Sequence, residues 1–112
     1  MKKILEKDVQ KQCIDFLGYK NIFCFKINNV GVYKQATGSY IPAQTKGIPD
    51  AIFHLDGVIH YVEFKTPSGR LSESQLNFKH RCQIDGVPYH VIRSIEELNC
   101  LIKNLTDCTT KL

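Results

Sequence analysis

Apolar positions recur along this chain with two different periods. At Leu5, Val9, Cys13, Phe16 and Leu17 the spacing is three to four residues, which predicts an amphipathic helix over roughly 4 to 17. Gly18 is expected to stop it. Asn21 to Asn28 is rich in β-formers and predicts a first strand. Ala51 to Leu55 and Val58 to Lys65 are apolar runs joined by Asp56-Gly57, a strong short-range hairpin signal. Ser72 followed three residues on by Gln75 is a capping box, which opens a second helix to about Asp85, with Gly86 as its stop. Pro88 to Arg93 reads as another strand. Ser94 with Glu97 repeats the capping box and starts a last helix to about Leu105, and polar residues 106 to 112 are expected to fray.

Residues 29 to 47 interrupt this regularity. They form a polar stretch with glycines and prolines that also holds Tyr33, Lys34, Tyr40 and Lys46. A connection that long in a compact domain usually serves function or moves. Val30 to Lys34 and Ser39 to Ala43 can pair as a small hairpin across Ala36-Thr37-Gly38. The remaining order is α-β-β-β-α-β-α. The hairpin gives two antiparallel strands, and the helix from 72 to 85 is long enough to cross over and place the last strand parallel to the one before it. The expectation is an α/β protein with a mixed central sheet flanked by helices on both faces.

A two-residue Asp56-Gly57 loop also sets a register. Leu55 then faces Val58, and stepping back along both strands brings Asp50 opposite Glu63. Side chains alternate faces along a strand, so Lys65 shares the face of Asp50 and Glu63. Directly opposed residues have Cβ atoms about 4.5–5.5 Å apart, and two like charges so close destabilise a sheet unless something compensates. A divalent cation does so; Mg²⁺ is commonly held by one or two carboxylates, with waters and phosphate oxygens completing its shell. Such an ion polarises a scissile phosphate and lowers the pKa of a bound water. Lys65 can then orient or deprotonate that water, or stabilise charge developing on the phosphate. The bland alternative makes Asp50 a turn residue after Pro49, and Glu63 and Lys65 a solvated polar face.

The rest of the composition narrows the picture modestly. The 112 residues weigh 12.8 kDa and point to one domain spanning the chain. The net charge of +4 suits a polyanionic partner without demanding one. Cys13, Cys24, Cys82, Cys100 and Cys108 form no C-x-x-C pair, so reduced thiols and a cytoplasmic setting are expected. The first residues carry no apolar leader and no run approaches a membrane span, so neither secretion nor membrane insertion is expected. Lys34, Lys46, Arg70, Lys79 and Arg81 are candidate phosphate contacts, of which Lys46 and Arg70 flank the proposed site. Tyr33 and Tyr40 can stack on exposed bases, pack a dimer interface or join the core. His54 and His60 fall on opposite faces of their strands, and His80 and His90 have no paired spacing, so the four histidines make no ligand set.

Four blocks in this order, Lys46-Gly47-Ile48-Pro49-Asp50, Tyr61-Val62-Glu63-Phe64-Lys65, Gly69-Arg70-Leu71-Ser72-Glu73-Ser74-Gln75 and Gly86-Val87-Pro88-Tyr89, resemble the VRR-NUC domain. That is the virus-type replication-repair nuclease branch of the PD-(D/E)XK superfamily, and the resemblance runs from Glu6 to about Leu101. It implies a restriction-endonuclease-like αβββαβ core and an endonuclease dependent on Mg²⁺ or Mn²⁺. Asp50 and Glu63 would be metal ligands, the Phe64 carbonyl a third, and Lys65 the catalytic lysine. Glu6 lies where the branch places an acidic residue on the first helix; a surface glutamate near a helix N-terminus is an equal reading. Gln75 matches a glutamine that faces the active site in the family, a role compatible with its capping box. The chain resembles the compact phage and bacterial members, which form homodimers and are compared with Holliday-junction resolvases. The resemblance therefore implies structured or branched DNA as substrate and a second copy as partner, with no small-molecule cofactor. A nuclease for duplex or flap DNA, or a non-catalytic DNA-binding module, are the alternatives. The presence of Asp50, Glu63 and Lys65 together speaks against the last.

Overall fold

The computed structural model describes residues 3–27, 32–34, 39–41 and 45–110, with backbone alone for 32–34, 39–41 and 108–110. The elements are α1 (Glu6–Tyr19), β1 (Cys24–Lys26), β2 (Val32–Lys34), β3 (Ser39–Ile41), β4 (Ala51–Leu55), β5 (Val58–Phe64), α2 (Glu73–Asp85), β6 (Tyr89–Ile92) and α3 (Ile95–Thr110). Among the described residues, four strands form one sheet in the order β1-β4-β5-β6, and β2 and β3 pair as a separate antiparallel hairpin. β1–β4 and β4–β5 are antiparallel, whereas β5–β6 is parallel, with α2 as the crossover.

The predicted β4–β5 register holds along the hairpin: Leu55 faces Val58 and Ala51 faces Val62. Its turn requires two successive residues with positive φ, and Asp56 at 53° and Gly57 at 79° supply them. That twist matches the flanking strands, so the turn and the register support one another.

Three boundaries differ from the sequence expectation. α1 runs through Gly18 to Tyr19 and ends where Asn21 adopts a φ of 60°, with the Asn21 N–H donating to the Gly18 carbonyl. Asparagine tolerates the left-handed region, and the chain reverses there because Ile22 must turn into the core, where it is buried. β1 is shorter than the expected Asn21 to Asn28: the pairing with β4 covers Cys24 to Lys26, the Phe23 carbonyl accepts from the His54 N–H at 3.2 Å just before it, and Asn28 lies outside the described residues. The tail expected to fray from 106 is helical to Thr110. Once α3 is nucleated, adding residues costs little, and the Thr106 hydroxyl donates back to the Ile102 carbonyl at 2.9 Å.

The core lies on one face of the sheet. Val9, Cys13 and Leu17 of α1 and Leu98 and Ile102 of α3 pack on Ala51, Phe53, Val62, Phe64 and Ile92. Each buried valine, leucine, isoleucine or phenylalanine in this set contributes about 1.5–3 kcal/mol. The opposite face is covered at β5 and β6 by α2, where Phe78 meets Tyr61 edge-on at 5.3 Å. Cys13, Cys24, Cys82 and Cys100 are free thiols. Among the described residues, no helix is long and apolar enough to cross a membrane.

A buried and a half-buried histidine form a pair that escaped the sequence reading. His60 on β5 and His90 on β6 share a hydrogen bond of 2.9 Å between Nδ1 and Nε2, and His60 stacks on Phe53 at 4.7 Å. Burial lowers both pKa values, and the His60 ring helps to push His90 down to about 4. A group depressed in this way stabilises the fold above its unfolded pKa of about 6.5, and that contribution is lost as pH falls toward 4. His90→Gln keeps a polar partner for His60 but does not titrate. It is expected to recover on the order of 2 kcal/mol of the stability lost between pH 6.5 and 4, as read from urea melts across that range.

Candidate active site

The carboxyl end of β5 carries the acidic residues, and each neighbouring element adds one group. Asp50 immediately precedes β4 and is held from both sides. Its carbonyl accepts from the Ile27 N–H at 2.8 Å, and its Oδ2 accepts from the Phe64 N–H at 2.8 Å. The N–H and C=O of one strand residue point to the same side, so the Phe64 carbonyl also faces the Asp50 side of β5. Glu63 is 1% exposed, and Lys65 is 9% exposed just beyond the strand. The Lys65 N–H donates to the Ile92 carbonyl at 3.0 Å, which continues the β5–β6 pairing and keeps its side chain on the Glu63 face.

Glu6, the first residue of α1, comes in from a remote part of the chain. Glu6, Asp50 and Glu63 each offer a carboxylate oxygen within 4.8 Å of the other two. The Lys65 ammonium stands 4.0 Å from Glu6 Oε2. Glu6 is thus an acidic residue in the first turn of α1, where Asp8 rather than Glu6 closes the cap on the Leu5 N–H at 3.1 Å, and the same turn brings its carboxylate to this cluster.

Gln75 divides its amide between two tasks. Its Oε1 accepts from the Ser72 N–H at 2.8 Å while its own N–H donates to Ser72 Oγ at 3.2 Å, which is the capping box. Its Nε2 donates to Glu63 Oε1 at 3.0 Å. The helix cap thereby aims an amide donor at the buried carboxylate. Gly47 brings the preceding loop against the same turn: a Cβ there would lie 2.7 Å from the Gln75 nitrogen and collide with the Ser74 carbonyl.

The electrostatics are those of crowded acids. The Glu63 carboxyl is pushed up to about 8, first by burial and then by the Asp50 charge, a hydrogen bond with Asp50 and the Glu6 charge; Lys65 partly offsets this. Glu63 Oε2 is enclosed with no partner among the described residues. A divalent cation fits these residues: three hard oxygen donors converge, one buried oxygen lacks a partner, and a positive charge would favour the ionised carboxylates.

The other sequence candidates separate by position. Lys46 is exposed and lines a cleft of about 290 Å³ with Gly47, Ile48, Ser72, Ser74 and Gln75, of which Gln75 donates to Glu63. Arg70 is exposed on the connection between β5 and α2. Arg81 pairs with Asp85 at 2.9 Å on the outer side of α2. The side chains of Tyr33, Lys34 and Tyr40 lie outside the described residues. Arg93 was missed: its Nη1 donates to the carbonyls of Thr66 at 2.8 Å and Gly69 at 2.6 Å and so holds the connection that leads from Lys65 to α2. No local pattern signals it, because its partners are more than twenty residues away.

The family model for the VRR-NUC domain matches residues 24–96. No curated protein matches the chain.

Proposed function

Because the chain belongs to the VRR-NUC domain family, nucleases of the PD-(D/E)XK type, we propose that it is a divalent-metal-dependent endonuclease that cleaves structured or branched DNA. The observation that carries the metal-dependent reading is the convergence of Glu6, Asp50 and Glu63 beside Lys65. Asp50, Glu63, Glu6 and the Phe64 carbonyl would hold the ion, Mg²⁺ or Mn²⁺. When bound, it supplies polarisation of the scissile phosphate and a more acidic water.

The chain's own residues do the rest. Asp50 is fixed by two backbone hydrogen bonds, so its carboxylate needs no reorganisation on binding. Gln75 holds Glu63 through Oε1 and leaves the other oxygen for coordination. Lys65, with its stem buried against the sheet, presents an ammonium that orients the attacking water or stabilises charge on the phosphate. Lys46, exposed in the cleft with Gln75, and Arg70, exposed on the connection between β5 and α2, would neutralise flanking phosphates, and Lys34 and Tyr40 are further candidates for DNA contact. A four-way junction needs two coordinated cuts and each chain offers one cluster among its described residues, so the reading includes a homodimer.

The test is a cleavage assay with labelled duplex, single strand, flap and four-way junction in Mg²⁺ or Mn²⁺. Cleavage of the junction or flap well above duplex, abolished by EDTA, is expected. Equal cutting of plain duplex would move the substrate reading to the duplex nuclease, and metal-independent cutting would remove the metal reading.

A further inference from the structure

Two enclosed polar atoms have no partner among the described residues: Glu63 Oε2 and the Tyr89 hydroxyl. They belong to the same face of the sheet. Tyr89 on β6 is aligned with Tyr61 on β5, and Val91 with Glu63, so Tyr89 shares the face that carries Tyr61, Glu63 and Lys65. Phe78 of α2 lies over this region, with ring centroids 5.3 Å from Tyr61 and 6.2 Å from Tyr89. The hydroxyl is thus sealed between strand and helix, beside the buried side of the acidic cluster.

The phenol stays protonated there. Burial, then the charges of Glu63, Cys82 and Asp50, hold its pKa well above the usual tyrosine value. A protonated phenol donates, and the neighbouring atom without a partner among the described residues is Glu63 Oε2. Buried hydroxyls are almost always hydrogen-bonded, Tyr89 is the diagonal cross-strand neighbour of Glu63 on one face of the sheet, and a single water is the usual bridge between two such polar groups that do not touch.

We propose that Tyr89 is a positioning residue for Glu63: its hydroxyl donates to one enclosed water, which donates in turn to the Oε2 side of the carboxylate while Gln75 holds Oε1. The carboxylate is then oriented from both ends, with its remaining lone pairs free for a cation. The proposal rests on the reading of Glu63 as a metal ligand. Hydrogen bonds of this kind, made to a ligand and not to the ion, typically change metal affinity by about 10–100-fold.

Tyr89→Phe removes only the oxygen and keeps the ring against Phe78, so the fold is not at risk. Mn²⁺ binding to the full chain without DNA, read from the electron paramagnetic resonance of free Mn²⁺, is compared for wild type, Tyr89→Phe, Glu63→Gln and the double variant. The expected result is a Kd raised about 10-fold or more by Tyr89→Phe, raised further by Glu63→Gln, and unchanged when Tyr89→Phe is added to Glu63→Gln. Wild-type affinity in Tyr89→Phe, with Glu63→Gln impaired, overturns the role of Tyr89 and leaves the metal site standing. An equal additional loss in the double variant overturns it as well, because Tyr89 would then act independently of Glu63. Wild-type affinity in Glu63→Gln removes the metal-site reading itself, and the proposal with it.

Discussion

Lys65→Ala is expected to abolish DNA cleavage, with a loss on the order of 10²–10³-fold or more, while the fold and DNA binding persist. Lys65 is 9% exposed, and its ammonium is the cation paired with the cluster, 4.0 Å from Glu6. Alanine removes that charge from beside the Glu63 carboxyl, which burial and then the Asp50 and Glu6 charges already push up to about 8. The Lys65 ammonium is then lost as a donor for negative charge developing on the phosphate. The backbone of residue 65 still donates to the Ile92 carbonyl, so the β5–β6 pairing survives the substitution. Asp50→Asn is expected to be equally inactive for a different reason. An asparagine oxygen can still accept from the Phe64 N–H, so the strand entry keeps its hydrogen bond, but one carboxylate is gone. Cleavage of labelled junction and flap in Mg²⁺ or Mn²⁺ measures the loss, and gel shifts in EDTA check binding. Cutting by Lys65→Ala at the wild-type rate would mean that the active-site assignment is wrong.

Gly47→Ala is expected to be the most damaging single-methyl change outside the acidic cluster. Gly47 has a φ of 76°, which costs a side-chain-bearing residue about 1–2 kcal/mol. The new Cβ would also meet the Ser74 carbonyl and, at 2.7 Å, the Gln75 nitrogen, both backbone of a capped helix turn that cannot swing aside. Overpacking of that kind adds about 1–3 kcal/mol. The sum corresponds to a drop in Tm of roughly 10 °C or more for a domain of this size. Activity should fall with it, because displacing the first turn of α2 pulls Gln75 from Glu63. Gly57→Ala is the control. Its φ of 79° imposes the same strain, but nothing lies within 4 Å of the added carbon. Equal melting temperatures for the two variants would show that the close approach at Gly47 carries no cost.

Much of the site was legible because the interactions that build it are short-range. Asp56-Gly57 admits one tight turn, that turn admits one register, and the register runs from Leu55 facing Val58 to Ala51 facing Val62, with Asp50 and Glu63 next along their segments. Ser72 and Gln75 announce a helix start through hydrogen bonds that close within four residues. Gln75 shows where such reading stops: its capping role is visible in the sequence, but the donor it aims at Glu63 depends on where α2 docks. Gly18 shows the same limit from the other side. A glycine after an apolar stripe is a sound stop signal, yet α1 continues past it because the reversal at Asn21 buries Ile22.

The sequence by itself therefore determined the hairpin, its register from Leu55–Val58 to Ala51–Val62 and the two capped helices, since turn sterics and capping hydrogen bonds act between near neighbours. Only the tertiary structure decided that Glu6 joins the carboxylates, that His60 meets His90 beneath the sheet, that Arg93 clasps the Thr66–Gly69 backbone and that Gly47 rests on Ser74. Each of these joins segments far apart in the chain. They come together only when burial of α1, α3 and the apolar strand faces in one core offsets the entropy of closing those loops.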